Sequence, residues 1–146
     1  MTILESLRNY IKQCPYLEEF NGVVRLRVDF SDNNEATTYN IEEGVTSQPI
    51  IKRYVDGSTI RQYLIVFSSI EAYSADIQQN IDNCGFYEDF QQWLEDNTNN
   101  NILPIMGQGK EARSIEALTN GYIFDNAEDS TTARYQIQMR LTYFQN

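Results

Sequence analysis

The sequence predicts an α+β fold, in which helices flank a mixed or antiparallel sheet that carries a projecting hairpin. The pair Asp56-Gly57 separates two runs rich in β-branched and aromatic residues, and Gly accepts the positive φ that a tight hairpin turn requires. The last run of the chain alternates apolar and polar residues, as a half-buried strand does. Helical spacing near the start and in the middle of the chain adds the helices. With 146 residues, the chain is expected to form one domain over residues 1–146.

The first half of the chain predicts one helix and two hairpins. Residues 2–13 have helical spacing, and Thr2 with Glu5 gives them a capping-box start. Residues 24–30 alternate as a half-buried strand, which we expect to form a hairpin with a short strand over 37–41. The second hairpin covers 50–67. Its second arm is apolar on both faces from Tyr63 onward, which predicts a central strand that is covered on both sides.

The middle of the chain predicts two more helices. One is expected over 69–83 and the next over 86–96, with an interruption at Cys84-Gly85. The aromatic residues of the second helix stand at helical spacing, which favours core over a ligand-binding platform and leaves outliers such as Tyr87 available to an interface.

The C-terminal part predicts strands only. Short strands over 114–118 and 122–124 surround a turn at Asn120-Gly121. The alternating run over 133–143 is expected to close the sheet beside the central arm.

The charge of the chain is strongly negative and unevenly distributed. The formal net charge is −10 and the pI is about 4.3, which argues against binding to nucleic acid or to an anionic membrane surface. No Lys or Arg occurs between Arg61 and Lys110. The acidic residues of that segment are Glu71, Asp76, Asp82, Glu88, Asp89, Glu95 and Asp96.

The residue types predict neither catalysis nor a cofactor nor a metal site. The chain has no histidine, which removes the commonest general base and metal ligand and excludes Ser-His-Asp and Cys-His arrangements. The Gly-rich loop at 107–110 does not fit a phosphate-binding loop, because Glu111 stands where Ser or Thr would hold magnesium. Cys14 and Cys84 lack metal or redox spacing; we expect thiols in a reducing compartment, and a disulfide stays open as the alternative. We expect neither a signal peptide nor a membrane helix.

The predicted hairpin is basic in an acidic chain. A two-residue turn would place Lys52 opposite Arg61, and a three-residue turn would place Arg53 there. Such a group of cations favours an acidic partner, for which the 71–96 segment of another copy is a candidate. The alternative is a solvated sheet edge where Lys and Arg oppose aggregation. The candidate interface residues are Lys52, Arg53, Asp56, Gly57, Arg61, Glu88 and Asp89.

Several stretches resemble a family of small proteins from tailed bacteriophages and prophages. The stretches are 54–63 (YVDGSTIRQY), Ala72-Tyr73 with Asp76 and Asn80, 85–90 (GFYEDF) with Trp93-Leu94, 115–122 (IEALTNGY), and 133–138 (ARYQIQ) with Thr142-Tyr143. The family is called minor capsid or tail-completion protein and is similar to tail terminators. The resemblance covers most of the chain from Ile50 onward and is looser over the first 45 residues.

The resemblance implies a virion structural protein rather than an enzyme. It implies a ring, commonly a hexamer, at the head-proximal end of the tail tube, which stops tube growth and joins the tail to the head connector. The partners would be other copies of the chain, the tail tube protein and the head-tail connector protein, with assembly in the bacterial host cytoplasm. The alternative function is a small acidic binding or inhibitor protein that mimics nucleic acid or acts as an immunity-type protein.

Overall fold

A computed structural model describes residues 2–17, 19–20, 23–24, 26–28, 38–72, 77–125 and 132–146. This part of the chain contains two helices and nine strands, as the α+β prediction requires. The helices are α1 (Ile3–Ile11) and α2 (Ile77–Asn99). The strands are β1 (Glu19–Phe20), β2 (Val23–Val24), β3 (Leu26–Val28), β4 (Thr38–Glu43), β5 (Ile50–Arg53), β6 (Thr59–Ala72), β7 (Lys110–Ala117), β8 (Tyr122–Asp125) and β9 (Thr132–Gln145).

The main sheet is mixed. Its strands follow the order β3-β4-β6-β9-β7, with β5 added beside β6 and β8 added beside β9. Only β3 and β4 are parallel among these pairs, so the prediction that they form a hairpin is wrong. A parallel pair needs a longer connection than a hairpin turn. The strands β1 and β2 form a separate two-stranded antiparallel sheet.

The pairing of β6 with β9 forms the middle of the sheet. It runs antiparallel over the full length of both strands, from Thr59↔Gln145 to Ala72↔Thr132. The alternation predicted for the last strand is confirmed, because its buried residues recur every second position. The strand does not close the sheet, however, since β7 and β8 pair with its other side. The buried residues of β9 are Tyr135, Ile137, Met139, Leu141 and Tyr143.

Both helices pack into one core with a single face of the sheet. The helix α1 begins with the predicted capping box, in which Glu5 N donates to Thr2 Oγ1 over 3.1 Å and Thr2 N donates to Glu5 Oε2 over 3.0 Å. Its Tyr10 ring lies 5.1 Å from the ring of Trp93 in α2. The common core includes Leu7, Ile11, Ile41, Ile65, Phe67, Phe90, Leu94 and Ile115.

The opposite face of the sheet is only partly covered. The arm predicted to be buried on both sides has Ile65 and Phe67 in the core, whereas Leu64 and Val66 are half-buried. The prediction of two covered faces is therefore wrong. An apolar side chain on the open face of a sheet can stay partly exposed, because side chains of the neighbouring strands cover part of its surface.

The helix α2 is one continuous helix, where the sequence predicts two. It runs through Cys84-Gly85, and the strand β6 extends into residues that were predicted to be helical. Glycine in a helix interior lowers stability by about 1 kcal/mol. The burial of Phe90 and Leu94, which lie one turn apart in the same helix, contributes more than that. Tertiary packing therefore overrides the local interruption.

Candidate interaction surface

The hairpin of β5 and β6 ends in a turn that its own residues stabilise. Tyr54 N donates to Ser58 O over 2.8 Å, and Gly57 N donates to Tyr54 O over 3.0 Å. Gly57 has φ 93°, the left-handed conformation that the Asp-Gly pair predicts. Asp56 Oδ1 accepts from Ser58 Oγ over 2.6 Å and from Ser58 N over 3.0 Å. These hydrogen bonds lower the pKa of the Asp56 carboxyl.

The tip of the hairpin presents apolar and cationic side chains to solvent. Val55 is fully exposed, at 108% of its reference area, and Ile51 and Tyr54 are 45% and 41% exposed. Lys52 Nζ lies 5.0 Å from the centre of the Tyr54 ring, a cation–π contact. Lys52 and Arg53 have no ion-pair partner among the residues that the structure describes. We call residues 51–57 the hairpin tip.

The predicted pairing of cations across the hairpin is wrong. A register shift in β5 places Ile50 opposite Arg61, Lys52 opposite Ile60 and Arg53 opposite Thr59. The bulge relieves the like-charge contact that the shorter turns would have produced. Arg61 itself lies away from the tip and is half-buried, with its Nε donating to Thr59 Oγ1 over 3.0 Å. Burial raises the pKa of Tyr143, and the positive charge of Arg61 offsets part of that rise.

The acidic candidates lie on a different part of the molecule. Glu88 and Asp89 are exposed on α2, together with Glu95 and Asp96 toward its C-terminus. The structure does not bring Glu88 or Asp89 into an ion pair with the hairpin cations within the described part of the chain. The two groups of candidate residues therefore form two separate surfaces.

A groove between α2 and β7 adds a surface that the sequence did not indicate. It has a volume of about 330 Å³ and is lined by Gln91, Glu95, Thr98, Asn99 and residues 114–117. Thr98 Oγ1 joins its two walls, since it donates to Ile115 O over 2.8 Å and accepts from Ile115 N over 3.2 Å. Glu116 is paired with Arg140 on the sheet. Only the three-dimensional contact of helix and strand reveals this groove.

Tyr87 is a core residue, contrary to the interface prediction. It is 2% exposed, and its hydroxyl donates to Tyr135 O over 3.1 Å. Because that proton is used, the Ser69 hydroxyl donates to Tyr87 Oη over 2.5 Å. A Cβ on Gly121 would overlap the Tyr87 ring at Cγ, so the ring also requires glycine at that position.

Other kinds of site have little support in the described residues. No group of three or more His, Cys, Asp or Glu side chains there is arranged to hold a metal ion. Cys14 is a buried free thiol, and burial raises its pKa to about 11. The side chain of Cys84 lies outside the described residues. Neither described helix is sufficiently long and apolar to cross a membrane.

No protein-family model matches this chain, and no curated protein sequence matches it.

Proposed function

We propose that this chain is a virion structural protein of a tailed phage or prophage, a tail-terminator or tail-completion protein. It forms a ring at the head-proximal end of the tail tube, stops tube growth and joins the tail to the head connector. Its partners are other copies of itself, the tail tube protein and the head-tail connector protein. It assembles in the cytoplasm of the bacterial host and remains in the tail of the virion.

The hairpin tip is the observation that carries this proposal. Side chains such as Val55 gain about 1.5–3 kcal/mol when they are fully buried, and within the described chain Val55 stays fully exposed. The neighbouring Lys52 and Arg53 also lack ionic partners there. A projecting element with both kinds of unsatisfied group is suited to contacts between subunits. The resemblance of the sequence to tail-completion proteins indicates the kind of assembly.

The direct test is deletion of the gene from a phage or prophage that encodes this chain. We expect tail tubes that grow beyond their normal length and tails without heads, both measured by negative-stain electron microscopy. Plasmid-borne wild-type protein should restore normal particles. Val55→Asp combined with Arg53→Glu should not restore them, whereas Val45→Asp should, because Val45 is also almost fully exposed but lies outside the hairpin tip. Normal tails after deletion would refute the proposed function.

An acidic inhibitor is the second candidate, favoured by the exposed acidic face of α2. The described helix carries no basic residue in its last turn to balance Glu95 and Asp96. An inhibitor would form a stable complex with a basic protein, and reversal of Glu88 and Asp89 would abolish it. Reversal of Lys52 and Arg53 would leave that complex unchanged. Reversal of Lys52 and Arg53 therefore separates the two functions, because the proposed ring requires the hairpin tip and the inhibitor does not.

A further inference from the structure

The hairpin tip and the groove between α2 and β7 lie at opposite edges of one sheet. The strand β5 pairs only with β6, on the side away from β9, and β7 pairs only with β9, on the side away from β6, among the described strands. Three strand spacings separate β5 from β7 across the sheet. Along β7, the residue in the same row as Arg53 is Lys110, and the groove residues 114–117 lie four to seven positions beyond it. These spacings place the two surfaces roughly 20 Å apart, so a hairpin tip cannot reach the groove of its own chain.

The groove contains a carboxylate that can attract a cation. Glu95 lines it and has no ion-pair partner within the described part of the chain. The carboxylates of Glu95 and Asp96 also lie near the C-terminus of α2, where the helix dipole disfavours negative charge by about 0.3–1 kcal/mol per charge. A Lys or Arg placed there would interact favourably with both the carboxylates and the helix end. The remaining lining residues are mostly polar, which fits a charged protein segment better than an apolar small molecule.

We propose that the hairpin tip of one copy binds the groove between α2 and β7 of the next copy. Arg53 and Lys52 approach Glu95, and Val55 and Tyr54 lie against Ala117, because Ile115 in the same wall is already buried in its own chain. The inference deepens the proposed function and rests on it for the ring geometry. Because the two surfaces differ, the contact is heterologous, and its repetition closes into a ring when the rotation between copies permits.

Cysteine cross-linking between separately tagged copies tests this contact. One copy carries Val55→Cys and the other Asn99→Cys, both with Cys84→Ser, while the buried Cys14 is retained. The two copies are mixed in concentrated solution, oxidised and separated on non-reducing gels. We expect the disulfide-linked heterodimer to form about tenfold more than with Val45→Cys in place of Val55→Cys, since a charge-complementary docking contact raises the encounter rate. Equal yields with the two exposed valines would overturn the proposal.

Charge reversal tests the ionic part of the same contact. Lys52→Glu with Arg53→Glu, added to the Val55→Cys copy, should lower the cross-link about tenfold at low salt. Glu95→Lys in the Asn99→Cys copy should restore it. Glu111→Lys is the control, because Glu111 is an exposed acid of β7 that does not line the groove, and it should restore nothing. Restoration by both lysines would show non-specific attraction and would overturn the assignment to Glu95.

The two proposals fail in different ways. If deletion of the gene disturbs the tails but Val55→Cys cross-links no better than Val45→Cys, the function stands and the contact is wrong. If the cross-link forms and responds to Glu95→Lys but deletion leaves the tails normal, the contact stands and the tail role is wrong.

Discussion

Two regions rich in aromatic and β-branched residues differ in where their contacts are made. Under α2, Phe67 and Phe90 stack with ring centres 4.7 Å apart, and both are fully buried. At the hairpin tip, Tyr54 is 41% exposed and Val55 is fully exposed. The first region buries its apolar surface within the chain, and the second leaves its apolar surface exposed. Substitutions should therefore divide into those that change stability and those that change association.

The largest effect on stability is expected for Phe90→Ala. Removal of this fully buried ring leaves a cavity beside Phe67 and should lower the free energy of unfolding by about 3–5 kcal/mol. Val55→Ala, at the hairpin tip, should change it by no more than about 0.5 kcal/mol. Urea unfolding followed by circular dichroism measures both. Similar losses for the two variants would contradict the division between the regions.

Gly121→Ala should have the next largest effect. The added Cβ would overlap Tyr87 Cγ, so the ring or the turn must move, at a cost of about 1–3 kcal/mol. Gly85→Ala is the matched control, because a Cβ at Gly85 meets nothing within 4 Å. Within α2 it should stabilise the protein by about 0.5–1 kcal/mol. Thermal unfolding should shift in opposite directions for the two variants, and a shared direction would refute the close approach at Gly121.

Tyr87→Phe should have an effect similar in size to that of Gly121→Ala. It keeps the ring but removes the hydroxyl between Ser69 and Tyr135 O, and the buried groups left behind cost about 1–3 kcal/mol. Tyr54→Phe at the exposed hairpin tip should cost less than about 0.5 kcal/mol. Chemical denaturation measures the difference. Equal stabilities of the two variants would show that the hydroxyl of Tyr87 has no structural role.

The smallest effect is expected for Asp56→Asn, and it should depend on pH. Because hydrogen bonds from Ser58 lower the pKa of Asp56, its stabilising contribution is present above the pKa of the unfolded chain. It is lost as the pH falls through the lower pKa of the folded protein. The stability difference from wild type should therefore be greatest near neutral pH and disappear in acid. Ser58→Ala should weaken the same pH dependence without abolishing it, because the main-chain N of that residue still donates to Asp56. A difference that grows in acid would contradict the assignment.

The sequence predicts elements well where local and tertiary preferences agree. The capping box of α1, the Asp56-Gly57 turn and the alternation of β9 each depend on neighbouring residues, and all three are confirmed. The sequence fails where packing decides. Gly85 is a local helix breaker that the core overrides, and the parallel pairing of β3 with β4 depends on contacts outside any short segment.

The candidate surface was predictable only in part. The basic character of the hairpin follows from composition, but the bulge that separates Arg61 from Lys52 depends on the register against β6. Tyr87 stands outside the helical stripe in sequence, and its burial depends on Ser69 and Tyr135, which are distant along the chain. The groove beside Glu95 has no sequence signal, because its walls come from a helix and a strand that meet only in the fold.

The hydroxyl of Thr98 also limits the addition of a further strand to the sheet edge at β7. Both main-chain polar groups of Ile115 are engaged by this one oxygen, so an extended segment from elsewhere cannot complete a backbone ladder at that residue. Unpaired backbone N–H and C=O groups along an edge strand are templates for cross-β growth and amyloid. The Thr98 side chain near the C-terminus of α2 therefore blocks strand addition at this residue of the sheet edge.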